Sequence, residues 1–153
     1  MKIHEIKDMH CQHSRDVYDL QVQNKSEFGT NIWTESEIIN LIKKKNTFCK
    51  VSYLNKKISG FCIFSSSLDI LELYIIFVKP DFRNLGIAKN FLFQAKEYAK
   101  KNFLKRILLE VNENNSKAIS LYRKQKFFLF GRRKNYYFTK RKFEDAILMQ
   151  FEF

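Results

Sequence analysis

The sequence predicts one mixed α/β domain covering residues 1–153. Stretches with the period of an amphipathic helix alternate with short runs of β-branched and aromatic residues, and 153 residues is the length of a single domain. Gly occurs 4 times and Pro once, which favours few turns and long elements. With 45% hydrophobic and 16% aromatic residues, disorder across the whole chain and collagen-like or linker-rich classes are excluded.

The residue pattern in the first quarter of the chain predicts a short strand and two helices. Near-alternating apolar residues indicate a strand over 2–6, and apolar residues three and four apart indicate a helix over Ser14–Gln23. Thr34 followed three residues later by Glu37 is typical of a capping box. A second helix is therefore predicted to begin just after Trp33.

Three strands are predicted next. Thr47–Leu54 and 58–65 form a hairpin by pattern, and Asn55 between them is a residue that tolerates the backbone angles of a tight turn. A third strand over 71–78 is rich in β-branched and aromatic residues. It ends before Pro80, which cannot continue a ladder.

The remainder alternates again between helix and strand. A long helix is predicted over 87–102, a strand over 106–111, and a short helix over Ser116–Lys124 with Asn115 or Ser116 as its N-cap. The last two predicted strands are 127–130 and 146–153. The predicted order is β-α-α-β-β-β-α-β-α-β-β.

The positive charge of the chain is concentrated in one segment. The formal net charge is +12, from 28 Lys and Arg against 16 Asp and Glu. Between Arg123 and Lys142 there are nine basic and no acidic residues: Arg123, Lys124, Lys126, Arg132, Arg133, Lys134, Lys140, Arg141 and Lys142. Interleaved with aromatic residues, they fit three interpretations: RNA binding, a groove that attracts an acidic partner or phosphates, or a solvated strand pair.

Several classes of protein are not indicated. The longest uninterrupted apolar stretch, 73–78, is far short of the roughly 20 residues that span a bilayer, so we expect a cytoplasmic protein without a membrane partner. Three separated cysteines without a C-x-x-C pair suggest neither disulfides nor structural zinc. His10-Cys11-Gln12-His13 lacks a second ligand cluster, so we expect no metal site.

The strongest local feature is the loop between the strand over 71–78 and the long helix. It comprises Arg83, Asn84, Leu85, Gly86, Ile87 and Ala88. Backbone N–H groups at a helix N-terminus lack intrahelical partners and carry partial positive charge, so this loop could hold a phosphate or pyrophosphate. It is neither G-x-G-x-x-G nor G-x-x-x-x-G-K-[ST], which argues against a Rossmann dinucleotide site and a P-loop.

Taken together, the motifs resemble the GCN5-related N-acetyltransferases, and more narrowly the RimI-type enzymes that acetylate the N-terminal alanine of a ribosomal protein. Arg83, Gly86 and Ala88 match the R/Q-x-x-G-x-G/A loop. The RimI-type match adds L-E-V at 109–111, N-x-x-A-x-x-L-Y at 115–122, R-R-x-x-Y-Y at 132–137 and E-D-A-x-x-M at 144–149. This resemblance implies a mixed, mostly antiparallel sheet of about seven strands with about four helices.

The resemblance also implies a cosubstrate and roles for residues. Acetyl-CoA would bind through its pyrophosphate at the loop of Arg83–Ala88, and its thioester carbonyl would meet a backbone N–H near Ile76, Phe77 or Val78. Glu110 falls at the position of the general base and Tyr122 at that of the acid. Asn115 is either a helix cap or a coenzyme A contact, and Tyr136 or Tyr137 would bind substrate.

Three functions remain open for such a chain. An α-amine, with a pKa of about 7.7 to 8.0 against about 10.4 for lysine, is easier to deprotonate at neutral pH, which favours a protein N-terminus as acceptor. A lysine, a polyamine or another small amine, or the amine of an aminoacyl-tRNA is the second possibility. A binding module for RNA or the ribosome that has lost turnover is the third.

One position departs from the family pattern. A glycine usually closes the helix that ends in L-Y, whereas this chain has Lys126 before Phe127. A lysine adopts the left-handed conformation only at a cost. Either the helix ends differently or Lys126 is strained.

Overall fold

The computed structural model describes residues 4–153. Its elements are β1 (Glu5–Asp8), α1 (Ser14–Gln23), α2 (Lys25–Phe28), α3 (Glu35–Lys43), β2 (Thr47–Leu54), β3 (Lys57–Ser67), β4 (Ile70–Val78), α4 (Ile87–Lys101), β5 (Arg106–Asn112), α5 (Ser116–Lys124), β6 (Phe128–Thr139) and β7 (Lys142–Glu152). Short 3₁₀ turns occur at Cys11–His13 and Pro80–Phe82. The predicted mixed α/β class is confirmed.

The seven described strands belong to one mixed sheet in the order β1-β2-β3-β4-β5-β7-β6. The pairs β1–β2, β2–β3, β5–β7 and β6–β7 are antiparallel, while β4 pairs in parallel with β5 over Ile70–Glu72. Strand β6 therefore lies at an edge of the sheet.

The predicted boundaries agree closely with the structure except near the two ends of the chain. The strand predicted over 2–6 begins outside the described residues, and β1 runs over Glu5–Asp8, two residues beyond the predicted end. The strand predicted over 127–130 is much longer, because β6 continues through the basic segment to Thr139. Its partner β7 accordingly begins at Lys142. The one-turn helix α2 was not predicted.

Two local signals in the sequence are realised as expected. Thr34 Oγ1 accepts from the Glu37 N–H at 3.2 Å, and the Glu37 carboxylate accepts from the Thr34 N–H at 2.7 Å, which is the predicted capping box. Asn55 and Lys56, with φ of 51° and 63°, form the turn between β2 and β3. Positive φ at both central residues is the signature of a type I′ turn.

The chain forms two compact units. The first contains the described residues up to Ser65 together with Tyr74–Phe91. Its core is built from α1, α3, β2 and β3, where the Phe61 side chain is fully buried. Phe28 brings α2 onto this core, with ring centroids 4.7 Å from Phe77.

The second unit contains Ser66–Leu73 and Leu92–Phe153. Its buried side chains include one face of α4, alternate positions of β5 and the residue of β7 opposite Leu109: Leu92, Ala95, Ala99, Ile107, Leu109, Val111 and Met149. On β5 this alternation leaves Glu110 half-buried and outside the apolar core.

Among residues 4–153, no helix is both long enough and apolar enough to cross a bilayer.

Candidate active site

The predicted anion loop lies in the first unit and leads directly into α4. Asn84 and Gly86 both have positive φ, 61° and 81°, and the Gly86 carbonyl accepts from the Asn90 N–H at 2.9 Å to start the helix. A Cβ placed on Gly86 would meet nothing within 4 Å. Glycine is therefore required there for its backbone conformation, and the space beside the loop is open for a ligand to approach the helix N-terminus.

The Arg83 side chain holds the loop to the end of β4. Its Nε donates to the Val78 carbonyl at 3.0 Å, its Nη2 lies 3.0 Å from Glu27 Oε1, and its guanidinium stacks 5.9 Å from the Phe77 ring centroid. These contacts occupy the arginine on the protein side. The side chain thus links the loop to β4 and α2. A contact between Arg83 and the cosubstrate stays a prediction.

The residues expected near the thioester are the last three of β4. Phe77 is buried in the core of the first unit, whereas Ile76 and Val78 are partly exposed. A Cβ on Gly60 of β3 would lie 2.5 Å from the Phe77 carbonyl oxygen. The close approach that this glycine permits fixes the position of the Ile76 to Val78 backbone.

A cluster of polar side chains surrounds Glu110 in the second unit. Arg133 Nε lies 3.1 Å from Glu110 Oε1, and the Arg133 guanidinium also lies 5.4 Å from the centroid of the Tyr136 ring. The charge of Glu110, then burial and a hydrogen bond to the same carboxylate raise the pKa of Tyr136. The Glu110 carboxylate is thus oriented by a cation on one side and a phenol on another.

Two further tyrosines belong to this cluster, Tyr137 and Tyr122. The Tyr136 and Tyr137 rings meet edge to face with centroids 5.0 Å apart. Burial, then the charge of Glu110, raises the pKa of Tyr137 to about 12. Tyr122 is buried, and burial followed by the neighbouring Tyr137 phenol raises its pKa well above the ordinary value. All three phenols are protonated at neutral pH.

A bulge in β6 explains how adjacent tyrosines both interact with Glu110. Neighbouring residues of a regular strand point to opposite faces. The register of β6 against β7 shifts between Arg133 and Tyr137, and Asn135 within the shift has φ of 53°. The bulge turns Tyr136 toward the face that already carries Arg133 and Tyr137.

Acidic residues of β7 and of the turn after β5 hold this bulge. Asp145 Oδ1 accepts from the Asn135 N–H at 2.9 Å, and Arg132 Nη1 bridges Asp145 Oδ2 at 2.9 Å and Glu113 Oε2 at 2.8 Å. The Asp145 N–H in turn donates to Glu113 Oε1 at 2.9 Å. The E-D-A sequence therefore has a structural role in aiming the tyrosines.

Asn115 is the N-cap of α5, which was one of the two roles expected for it. Its Oδ1 accepts from the Ala118 N–H at 3.2 Å. A direct contact with coenzyme A stays a prediction.

The structure extends the predicted site by Arg133 and by the Asp145 network. The sequence showed Arg133 as one of nine basic residues and as part of the R-R-x-x-Y-Y motif, but not its partner, because Glu110 lies 23 positions earlier and is reached through two strand pairings. Among the described residues no group of three or more His, Cys, Asp or Glu side chains is placed to hold a metal ion.

The chain is similar in sequence to known acetyltransferases. The model of the acetyltransferase (GNAT) family matches residues 14–127, well over half of the chain. The [ribosomal protein bS18]-alanine N-acetyltransferase of Escherichia coli (strain K12) is 35% identical over 95 residues, which are 62% of this chain. The match spans only 64% of that relative's length.

Solved structures share this fold over most of the chain. The crystal structure of the ribosomal-protein-S18-alanine N-acetyltransferase from Escherichia coli aligns with a TM-score of 0.85 at 25% identity, covering 98% of this chain and 94% of that one. An acetyltransferase of Bacillus anthracis, solved in complex with acetyl coenzyme A, aligns with a TM-score of 0.69 at 28% identity, covering 74% and 66%.

Proposed function

The chain belongs to the acetyltransferase (GNAT) family. On that premise we propose that it is an acetyl-CoA-dependent N-acetyltransferase. Its proposed acceptor is the N-terminal α-amine of a protein, specifically of a ribosomal protein. The observation that carries the proposal is the oriented carboxylate of Glu110, held 3.1 Å from Arg133 and bordered by Tyr136 and Tyr137. The activity after which the Escherichia coli relative is named supports this choice of acceptor.

The loop fits the cosubstrate. The open space at Gly86 and the first turn of α4 suit a pyrophosphate held by backbone N–H groups from Asn84 to Ala88. Acetyl-CoA supplies an acetyl group activated as a thioester. A backbone N–H among Ile76 to Val78 would hold the carbonyl oxygen, where negative charge develops as the amine attacks.

Glu110 is assigned the role of general base. Its Oε atoms would take the proton that the acceptor amine loses, and the contacts with Arg133 and Tyr136 keep them oriented before the amine arrives. Since an α-amine releases its proton near neutral pH, a carboxylate suffices as the acceptor of that proton.

Tyr122 is assigned the role of acid. Its buried hydroxyl is protonated at neutral pH, so it can supply a proton at Oη to the departing thiolate. Tyr136 and Tyr137 are assigned to the walls of the acceptor site, because they border the carboxylate that the amine must reach. Asn115 is proposed to contact coenzyme A near the start of α5 in addition to capping the helix.

The test is release of free coenzyme A from acetyl-CoA with peptides that begin with Ala, Ser or Met. N-acetylated versions with an internal lysine serve as controls. We expect turnover only with free N-termini. Turnover only with lysine or with polyamines would replace the α-amine as acceptor, and acetyl-CoA binding without transfer to any amine would contradict the enzymatic assignment.

Variants test the two catalytic roles separately. Glu110→Gln should lower kcat/KM by about 100-fold or more, and Tyr122→Phe should lower kcat with little change in KM for acetyl-CoA. Glu97→Gln is a matched control, because Glu97 is an exposed carboxylate whose nearest ion pair, to Lys100, is 3.7 Å long. Full activity in both Glu110→Gln and Tyr122→Phe would overturn the proposed roles.

A further inference from the structure

The turn between β6 and β7 carries three consecutive cations at the end of a hairpin. Thr139 pairs with Lys142, and Lys140 and Arg141 between them have φ of 47° and 64°. This type I′ geometry favours Asn or Gly at both positions. The chain places two long cationic side chains there instead, against local backbone preference.

Two exposed aromatic rings flank these cations. Phe138 and Phe143 are opposite each other in the hairpin, with ring centroids 5.0 Å apart, and their exposed fractions are 64% and 63%. Opposite residues share a face of the sheet. Because Phe138 follows Tyr137, which interacts with Glu110, the two phenylalanines lie on the other face from the catalytic cluster.

From these observations we propose that the hairpin tip, defined as Phe138–Phe143, binds single-stranded RNA. Lys140, Arg141 and Lys142 would contact phosphates, and a base would stack on an exposed phenylalanine. Lys140 and Arg141 form no ion pair within residues 4–153, and Lys142 only a long one of 3.9 Å to Glu144. The choice of RNA over DNA rests on the proposed function, because a ribosomal acceptor is accompanied by RNA.

The order of residues along the tip argues against the other anionic partners. The cations form the outermost turn and the phenylalanines follow behind it, so insertion of the rings into a bilayer would carry Lys140 and Arg141 deeper than the rings. An acidic protein would pair with the cations but would leave the exposed rings unused. A ligand with both phosphates and flat aromatic faces uses both features.

The probe for the test is a fluorescently labelled 12-nucleotide oligouridylate, titrated with the full chain and followed by anisotropy without acetyl-CoA or peptide. Three phosphate contacts predict a slope of log K against log salt of about −2, hence roughly 20-fold weaker binding at 200 mM than at 50 mM salt. Omitting acetyl-CoA and peptide makes the result independent of catalysis. Glu110→Gln should bind the probe as the wild type does, even if its transfer activity is lost.

The main variant removes two charges while improving the turn. In Lys140→Asn/Arg141→Gly the turn acquires the favoured Asn-Gly sequence, so the fold should be retained while the salt slope falls to about −0.7. Phe138→Ala/Phe143→Ala should weaken binding at least about fivefold. A melting temperature that does not fall in the turn variant excludes unfolding as the cause.

Control variants remove equal numbers of cations and rings elsewhere. Lys43→Ser/Lys44→Ser removes two exposed cations at the end of α3, and Phe93→Ala/Phe103→Ala removes two exposed rings. Both should bind nearly as the wild type does. Equal losses in tip and control variants would overturn the inference in favour of non-specific charge.

Two further arms address the rival partners. Polyglutamate that displaces the probe as well as unlabelled oligouridylate would overturn the inference in favour of an acidic protein. Sedimentation with phosphatidylserine vesicles that depends on Phe138 and Phe143 would overturn it in favour of a membrane. Weaker displacement by polyglutamate than by oligouridylate, no sedimentation with vesicles that depends on the two phenylalanines, and loss of probe binding in the tip variants only would support the proposed RNA surface.

Discussion

Replacement of Lys126 by glycine should stabilise the protein. Lys126 has φ of 65° directly after α5, its N–H donates to the Arg123 carbonyl at 2.9 Å, and the N–H of Phe127 donates to the Tyr122 carbonyl at 2.9 Å. These two bonds form a Schellman motif, whose left-handed position normally holds glycine. The helix therefore ends as in the family, and Lys126 carries the strain.

The size of the effect follows from two opposing contributions. A residue with a Cβ in the left-handed region costs about 1–2 kcal/mol, and the greater freedom of glycine in the unfolded chain offsets roughly 0.5–1 kcal/mol. The free energy of unfolding should thus rise by about 0.5–1 kcal/mol, and the melting temperature by about 1–4 °C. Lys126 also lies near Lys96, whose pKa is lowered first by burial and then by this like charge.

Thermal and urea unfolding of Lys126→Gly and Lys126→Ala separate the backbone from the charge. Both variants remove the ammonium, but only glycine relieves the left-handed conformation, so Lys126→Gly should be the more stable of the two. Turnover should be unchanged in both, since the Phe127 to Tyr122 hydrogen bond is kept. Lys126→Gly no more stable than Lys126→Ala would refute the reasoning.

Two further perturbations address the loop and the bulge. Gly86→Ala should raise KM for acetyl-CoA several-fold, because its φ of 81° is unfavourable for alanine. Gly29→Ala, at a φ of 58° and with equally open space, should lower the melting temperature but leave that KM unchanged. Steady-state kinetics and melting curves of both variants test this. Asp145→Ala should lower kcat/KM roughly tenfold, and Asp145→Asn less, because the amide oxygen can still accept from the Asn135 N–H. Equal losses in the two variants would contradict the role of this hydrogen bond. Hydrogen bonds from the Asn135 N–H and then from Arg132 lower the pKa of Asp145. The stability that this carboxylate contributes is therefore present above about pH 4 and is lost as pH falls through its folded pKa. Below about pH 4, the urea midpoint of Asp145→Asn should fall less steeply with pH than that of the wild type.

The parts of the fold that short-range signals determine could be predicted from the sequence. The bounds of α1 and α5 match the predicted Ser14–Gln23 and Ser116–Lys124, because amphipathic period and capping residues act within a few positions. The type I′ turn at Asn55 follows from the same kind of local chemistry. Helix α2 was missed because one helical turn carries no periodicity.

The continuation of β6 could not be predicted for a physical reason. The bulge between Arg133 and Tyr137 breaks the alternation that identifies a strand, and nearly every residue of β6 is exposed, so no apolar face marks it. A solvated strand pair was therefore only one of three interpretations of this basic segment, and its boundaries could not be given. Its strand character comes from pairing with β7, a long-range interaction that the local sequence does not record.

Irregularity and function coincide in the same stretch of β6. A regular strand would send Tyr136 and Tyr137 to opposite faces, and only one of them could reach Glu110. Asn135, in its left-handed conformation, and the Asp145 carboxylate that binds its N–H bring both phenols to the base. The motifs of the sequence contain Glu110, Arg133 and Asp145, but the contacts that orient the carboxylate depend on the strand register, so the roles of Arg133 and Asp145 follow from the structure.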